Sequence, residues 1–201
     1  MFMIIGNGFI ANSLRDNPNC VVYAGGATVG SDTEIIDKNI NSTLEAVKNI
    51  PKGKRLIYIS SSRVGDGTVY GQTKLLAEKL LTHRPLSLIR STNVFGESCK
   101  PFRNSVVATF CHQIANNKPP TIKEPDKEIL LVYIDDLVRV IEEEMRNDKN
   151  YSFRFVCGEA ITVGELAYVL LGFSQGKEPQ NDLQTKLKKV YDIHVRTVHA
   201  G

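Results

Sequence analysis

The sequence predicts an α/β fold with a mostly parallel sheet covered by helices on both faces. Two observations carry this expectation. Apolar runs of strand length alternate with segments of helical period along the chain. A glycine-bearing turn, Gly6-Asn7-Gly8, follows the first apolar run and opens the first helix. No repeat period or low-complexity tract interrupts the alternation.

In chain order, Met1–Ile5 reads as a short apolar strand and Gly8–Arg15 as a helix. Cys20–Ala24 is a second strand, closed by Gly25 and Gly26. From Glu34 to Asn49 apolar residues fall at Ile36, Ile40, Leu44 and Val47, the helical period. Strand Arg55–Ser60, helix Tyr70–Thr82 and strand Leu86–Ile89 follow. A long loop then runs from Ser91 to Arg103, and a loop of that length in a compact domain points to function. Helix 105–116, a short strand at 129–131, helix 135–146, strand 153–156 and helices 163–171 and 182–190 complete the pattern. The turn-rich stretch 172–180 reads as a hinge.

The composition frames this reading. A chain of 201 residues suits one domain, and its 42% hydrophobic content supplies a core. Charged residues make up 23%, as in ordinary globular chains, which argues against disorder. Lys plus Arg (25) exceeds Asp plus Glu (22) by three, with no basic block, so no nucleic-acid partner is expected. No apolar run approaches the roughly 18 residues of a membrane span, and no signal peptide opens the chain, so no membrane partner is expected either. Cys20, Cys99, Cys111 and Cys157 lack metal or redox spacing and read as reduced, mostly buried thiols of a cytoplasmic protein.

Two constellations carry chemistry. In Gly6-x-Gly8-Phe9-Ile10-Ala11, Gly6 allows a tight turn, Gly8 allows close approach of a phosphate, and Ala11 lets the helix pack on the strand. The plainer alternative is a β–α turn that binds nothing. The second constellation is Ser60-Ser61-Ser62 at a strand end, followed by Tyr70-Gly71-Gln72-Thr73-Lys74. Tyr and Lys at i and i+4 share a helix face. A nearby ammonium favours the phenolate, so the pair can exchange a proton with an alcohol or carbonyl, and a Ser hydroxyl can bond the same oxygen. Alone, Tyr-x-x-x-Lys is a common surface pair; preceded by a strand ending in three serines it is much rarer.

With VVYAGG (21–26), NINST (39–43), YISSSRV (58–64), LIRSTNVFG (88–96) and VYIDDL (132–137), these motifs resemble the extended short-chain dehydrogenase/reductase family. The segments 93–118 and 161–173 resemble, more narrowly, the reductase half of the capsular-polysaccharide enzymes that reduce a UDP-linked 4-keto-6-deoxy amino sugar with NADPH. The resemblance implies a Rossmann-type doubly wound sheet, with residues 1–90 as the dinucleotide-binding core and 91–201 as a small substrate-facing portion of the same domain. It implies Tyr70 as acid/base, Lys74 as its pKa modulator and ribose ligand, and Asn39 as the support of that lysine. Ser61 is the partner hydroxyl if the S-x-x-V spacing to Val64 sets the register, with Ser62 the neighbouring alternative on the substrate side. Gly6, Gly8, Phe9, Ile10, Ala11 and Gly25 would line the NAD or NADP site. Asn93 would meet the sugar-nucleotide phosphates, and Arg103 is a diphosphate ligand on charge alone or else a solvated loop residue. A homodimer through the Tyr70 helix is implied as well.

Two departures stand out. The family usually carries G-x-x-G-x-x-G, and only nine residues, Leu14 to Val22, stand where it has a strand–helix–strand that includes the ribose-reading residue. The sheet is therefore expected to be truncated on one side. No match to the cupin domain of the capsular enzymes follows, so epimerisation is not implied by that resemblance. His83, His112, His194 and His199 lack metal-ligand spacing and read as surface or helix-terminal residues, and no metal is expected. Asp135 and Asp136 read as N-capping residues. The expected function is an NAD(P)-dependent reductase or epimerase of a nucleotide-activated sugar in surface-polysaccharide biosynthesis. The competing class is a non-catalytic dinucleotide- or sugar-nucleotide-binding protein that keeps the fold.

Overall fold

A computed structural model describes residues 4–6, 8–14, 20–51 and 53–199. Met1 to Met3, Asn7 and Arg15, assigned above to the first strand, turn and helix, lie outside them. The chain divides into two compact units, residues 1–92 with 135–156 and residues 93–134 with 157–201. Residues 135–156 thus return to the first unit, although the sequence grouped everything after residue 90 together.

The first unit begins with β1 (Ile4–Ile5), α1 (Phe9–Asn12) and β2 (Cys20–Tyr23). A helical run follows: α2 (Asp32–Ile36), a π-helical stretch Asp37–Asn41, and α3 (Ser42–Lys48). Then come β3 (Arg55–Ser61), α4 (Val69–Leu81) and β4 (Leu86–Ser91). In the second unit stand β5 (Asn93–Phe95), α5 (Val106–Ala115) and β6 (Glu128–Tyr133). Helix α6 (Ile134–Met145) and β7 (Tyr151–Val156) lead back through the first unit. The second closes with β8 (Glu159–Thr162), α7 (Val163–Ser174) and α8 (Asp182–His199).

Among the described residues the first unit holds five parallel strands in the order β1-β2-β3-β4-β7. Strand β3 is central and buried along its whole length, as a continuous apolar run in a doubly covered sheet should be. Residues alternate between the faces. Leu56, Tyr58, Leu86 and Leu88 join Val47 of α3 and Ala77 and Leu81 of α4 in one core. Ser87, on the opposite face, bonds Glu144 of α6 at 2.9 Å. Helices therefore cover both faces, and the doubly wound, Rossmann-type α/β fold is borne out. Among the described residues the edge strand on this side is β1.

The second unit carries a smaller sheet, β5-β6-β8, with β5 parallel and β8 antiparallel to β6. Here the sequence reading needs correction. The long loop after Ser91 contains β5, and β8 was not expected; each has at most four residues, too few to show a period. Asp135 and Asp136 lie inside the first turn of α6, where they face the helix dipole instead of capping it. Helix α1 is one turn long and ends at Asn12. Helix 34–49 is interrupted because the π-helical stretch carries one extra residue, burying the neighbours Asn39 and Ile40 together. Among the described residues, no helix is long and apolar enough to cross a membrane.

Candidate active site

Helix α4 starts at Thr68, whose hydroxyl accepts from Gly71 N–H at 3.1 Å. That cap fixes the helical phase, and Tyr70, Lys74 and Glu78 then fall four apart on one face. Ser61 ends β3. Burial raises the Tyr70 phenol above its ordinary value, while a hydrogen bond with Ser61 and the Arg63 guanidinium pull it back. Arg63 also stacks over the ring, 5.3 Å from its centroid. Ser61 is buried and joined to Tyr70, whereas Ser62 is exposed and binds Ser91 only through its backbone N–H. Of the two serines, Ser61 is the one that acts on Tyr70.

Lys74 is anchored on β3. Its ammonium is buried and donates to Tyr58 Oη at 3.3 Å and to the Ile59 carbonyl at 3.2 Å. Burial brings its pKa down to about 8, with Glu78 acting in the other direction. The Arg63 guanidinium is a cation that draws the Tyr70 phenol down. Tyr58 itself, stacked on Tyr23, is pushed well up by burial and stays a neutral phenol.

Asn39 is fully buried on the π-helical stretch. Its amide donates to the Ala27 carbonyl at 2.9 Å and to Thr73 Oγ1 at 3.0 Å, and its oxygen accepts from Ala27 N–H at 2.9 Å. It thus ties the 24–28 stretch to α4 beside Lys74, and its recorded bonds do not include the lysine. Gly26 is glycine for the same reason. Its φ is +129°, and a Cβ there would stand 2.6 Å from Asn39 Oδ1 and 3.4 Å from Lys74 Nζ.

The glycine turn meets a necessary condition for a phosphate site. Gly6 has φ +130° and a Cβ would strike the Ala24 carbonyl at 2.9 Å, while beside Gly8 a Cβ would meet open space. Phe9 and Ile10 begin α1 half-buried, and Ala11 is buried, as packing on the sheet requires. Gly25 lies against the Tyr23 ring, 2.9 Å from where its Cβ would be, so its smallness already has a packing cause. Residues 25–28, Gly-Gly-Ala-Thr, carry no charge to read a ribose.

Asn93 and Arg103 belong to the second unit. Asn93 lines a cavity of about 530 Å³ with Phe95, Phe102, Asn104, Phe110 and Thr121, a volume typical of small-molecule sites. Arg103 is exposed and does not line it.

Sequence reasoning missed Glu78 and Arg90 and gave Ser60 no role of its own. Buried Glu78 accepts from Ser60 Oγ at 2.6 Å and from Arg90 Nε and Nη2 at 3.0 and 2.6 Å. The helical spacing that linked Tyr70 to Lys74 extends to Glu78, so the signal was present. His194 is another correction: it is buried on α8 with His112 ring-edge to face at 6.5 Å, because α8 runs on as an amphipathic helix. Its Nε2 has no hydrogen-bond partner, and burial lowers its pKa. The His199 side chain lies outside the described residues. Among the described residues no cluster of three or more His, Cys, Asp or Glu could hold a metal ion.

Comparison with known proteins agrees with the resemblance read from the sequence. The UDP-2-acetamido-2,6-beta-L-arabino-hexul-4-ose reductase of Pseudomonas aeruginosa is 36% identical over 142 residues, 67% of this chain and 38% of the relative. The matched stretch therefore spans well under half the length of that protein. The capsular polysaccharide assembling protein CapF from Staphylococcus aureus superposes with TM-score 0.77 at 21% identity, covering all of this chain and 67% of that one. RMD from Pseudomonas aeruginosa, solved with NADPH, gives 0.75 at 17% identity over 89% of this chain and 82% of its own. UDP-glucuronic acid 4-epimerase from Bacillus cereus, solved with NAD, gives 0.73 at 22% identity over 96% of this chain and 79% of its own. At these identities the structural likeness establishes the fold. A family profile described as "Polysaccharide biosynthesis protein" matches residues 30–190, which begin after the glycine turn and take in β3, the Tyr70–Lys74 helix and most of the second unit. The chain belongs to that family.

Proposed function

We propose that this chain is the NAD(P)-dependent reductase or epimerase portion of an enzyme acting on a UDP-linked sugar in surface-polysaccharide biosynthesis. The observation that carries the reading is the Ser61–Tyr70 pair at the C-terminal end of β3, with buried Lys74 one turn along the same helix face. That end of a parallel sheet is where open α/β folds take ligands. The dinucleotide, when bound, supplies or accepts hydride. Tyr70 hands its phenolic proton to the oxygen of a keto sugar, or takes one from the alcohol in reverse, and Ser61 bonds the same oxygen. Since burial raises the phenol, Tyr70 is protonated at neutral pH, which suits reduction. Lys74 contributes positive charge and a ribose contact. Asn93 and its cavity take part of the sugar nucleotide, a role for which Arg103 is the weaker candidate. The half-exposed apolar residues Ile36 of α2 and Leu76 of α4 support a homodimer through that helical face. The free thiols fit a reducing cytoplasm.

A second reading, a binding protein without turnover, is favoured by the sheet ending at β1 and by the uncharged 25–28 stretch. Calorimetry with NADH and NADPH addresses both. With the adenosine wall missing, both dinucleotides bind weakly and within about tenfold of each other, about 1.4 kcal/mol. A preference of roughly a hundredfold for one of them (about 2.8 kcal/mol) contradicts the truncated site. Turnover of a UDP-keto sugar with either separates enzyme from binder.

The substrate side has its own test. Asn93→Ala lowers UDP-sugar affinity by about tenfold, the worth of one lost hydrogen bond to a charged group, and leaves dinucleotide affinity intact. Equal loss of both ligands, or of neither, counts against the cavity as the sugar-nucleotide site.

A further inference from the structure

Ser61 and Tyr70 are joined across the turn that leads from β3 into α4, and one residue of that turn touches both. Arg63 donates its backbone N–H to Ser61 Oγ at 3.2 Å, and its guanidinium lies over the Tyr70 ring, 5.3 Å from the centroid. A hydroxyl has one proton and two lone pairs, so with Arg63 N–H on a lone pair the Ser61 proton is left for the phenol oxygen. The guanidinium is clamped in turn. Its Nε donates to Asp66 Oδ2 at 2.8 Å and its Nη2 to Thr68 Oγ1 at 3.2 Å. The Thr68 hydroxyl uses its full capacity, accepting from Arg63 and from Gly71 N–H and donating to Asp66 at 2.5 Å. An exposed ion pair alone would hold little, and the Arg63 side chain is 49% exposed. Here the group that caps α4 also holds the arginine, over a ring in the first turn of the same helix. Gly71 lets the turn lie this close, since a Cβ there would strike the Arg63 carbonyl and the Asp66 carboxylate.

We propose that Arg63 is a positioning residue for Tyr70: clamped by Asp66 and Thr68, its guanidinium covers the ring and favours the phenolate that forms when the proton is handed over. The proposal deepens the active-site reading above and rests on it for the role of Tyr70. Around the phenol, the turn contributes Arg63 and Asp66, which act in opposite directions. Strand β3 contributes Tyr58, a neutral phenol, and the uncharged Ser61. Helix α4 contributes Lys74, whose ammonium donates to Tyr58 and Ile59, and Glu78, which is bound to Arg90.

Difluorotyrosine in place of Tyr70, in the whole chain, lowers the phenol's titration into the range where proteins stay folded, and fluorine NMR reads that one ring. Arg63→Gln removes the cation, leaves Asp66 unopposed, and raises the midpoint by about one pH unit, the low end for a neighbouring opposite charge. Arg63→Lys keeps a charge without the planar fork, and its midpoint falls between the parent and Arg63→Gln. Simple loosening has the other sign, because burial raises the phenol and admitted water would lower it. An unchanged or lowered midpoint in Arg63→Gln overturns the proposal, and so does an equal rise in Arg63→Lys. Should Arg63→Gln not fold, Arg63→Met, equally uncharged, is read by the same rule. The readout needs neither dinucleotide nor turnover, so it fails or succeeds separately from the assigned reaction.

Discussion

Tyr70→Phe lowers turnover of a UDP-keto sugar by about 10²-fold or more, the usual consequence of losing a general acid. The ring stays in its half-buried place under Arg63, so substrate and dinucleotide affinities change little. Steady-state kinetics beside calorimetry on the same preparation separates the two effects. Turnover equal to that of the parent removes Tyr70 from the mechanism. Ser61→Ala behaves as a weaker version of the same lesion, because it removes the hydrogen bond that draws the raised phenol back towards its ordinary value.

Arg55→Ala destabilises the chain by about 3–5 kcal/mol, the range for breaking a buried ion pair by removing one partner. Arg55 opens β3 and is 8% exposed; Glu144 near the end of α6 is 2% exposed. The guanidinium donates to Ser152 Oγ and to the Asn147 carbonyl, each at 2.8 Å, to Ser87 Oγ, to the Lys149 carbonyl, and to Glu144 at 3.3 Å. Truncating it removes all of these bonds at once and leaves buried Glu144 with Ser87, Ser152 and Asn147 and only the longer Arg154 contact, at 3.7 Å, for a cation. Burial pushes Glu144 up, but Ser152, Ser87, Asn147 and Arg55 outweigh it, and its pKa ends below the usual carboxylate range. A depressed carboxylate contributes stability above its unfolded pKa and loses it as pH falls through the folded value. Urea unfolding at neutral pH and again in acid checks both points: the gap between Arg55→Ala and the parent narrows as Glu144 protonates. A loss below about 1 kcal/mol at neutral pH would class the pair with exposed ones.

Much of the first unit was legible in the sequence because its strands are buried on both faces. Arg55–Ser60, with Leu56–Ile59 apolar throughout, and Leu86–Ile89, apolar but for Ser87, read as strands, and both strands lie there. The Tyr70–Lys74 helix was legible through its period, which puts both residues on one face. What was hidden depends on pairing at a distance. Three residues, Asn93 to Phe95, become a strand only because β6, nearly forty positions later, offers them an edge. Lys74 was read from its spacing to Tyr70, but the direction of its ammonium is set by Tyr58 and Ile59 on another element. The burial of His194 did have a local signal, since it stands four past Val190 and three past Tyr191 on the buried stripe of α8, but ending the helix at residue 190 hid it.

The chain's passage from the first unit to the second and back bears on how the protein is made and divided. Neither unit is one continuous stretch, so no single cut releases either of them whole. A fragment ending at residue 92 would present β4 as a raw edge, lacking its parallel neighbour β7, with the Ile89 side of the sheet stripped of α6. It would also contain Arg55 without Glu144 or Ser152. During synthesis the first sheet must wait, one strand short, until residues 151–156 emerge, and an unpaired edge is a template for aggregation meanwhile. Engineers who wish to graft or shorten this scaffold should keep residues 1–156 together and place insertions in the loops of the second unit.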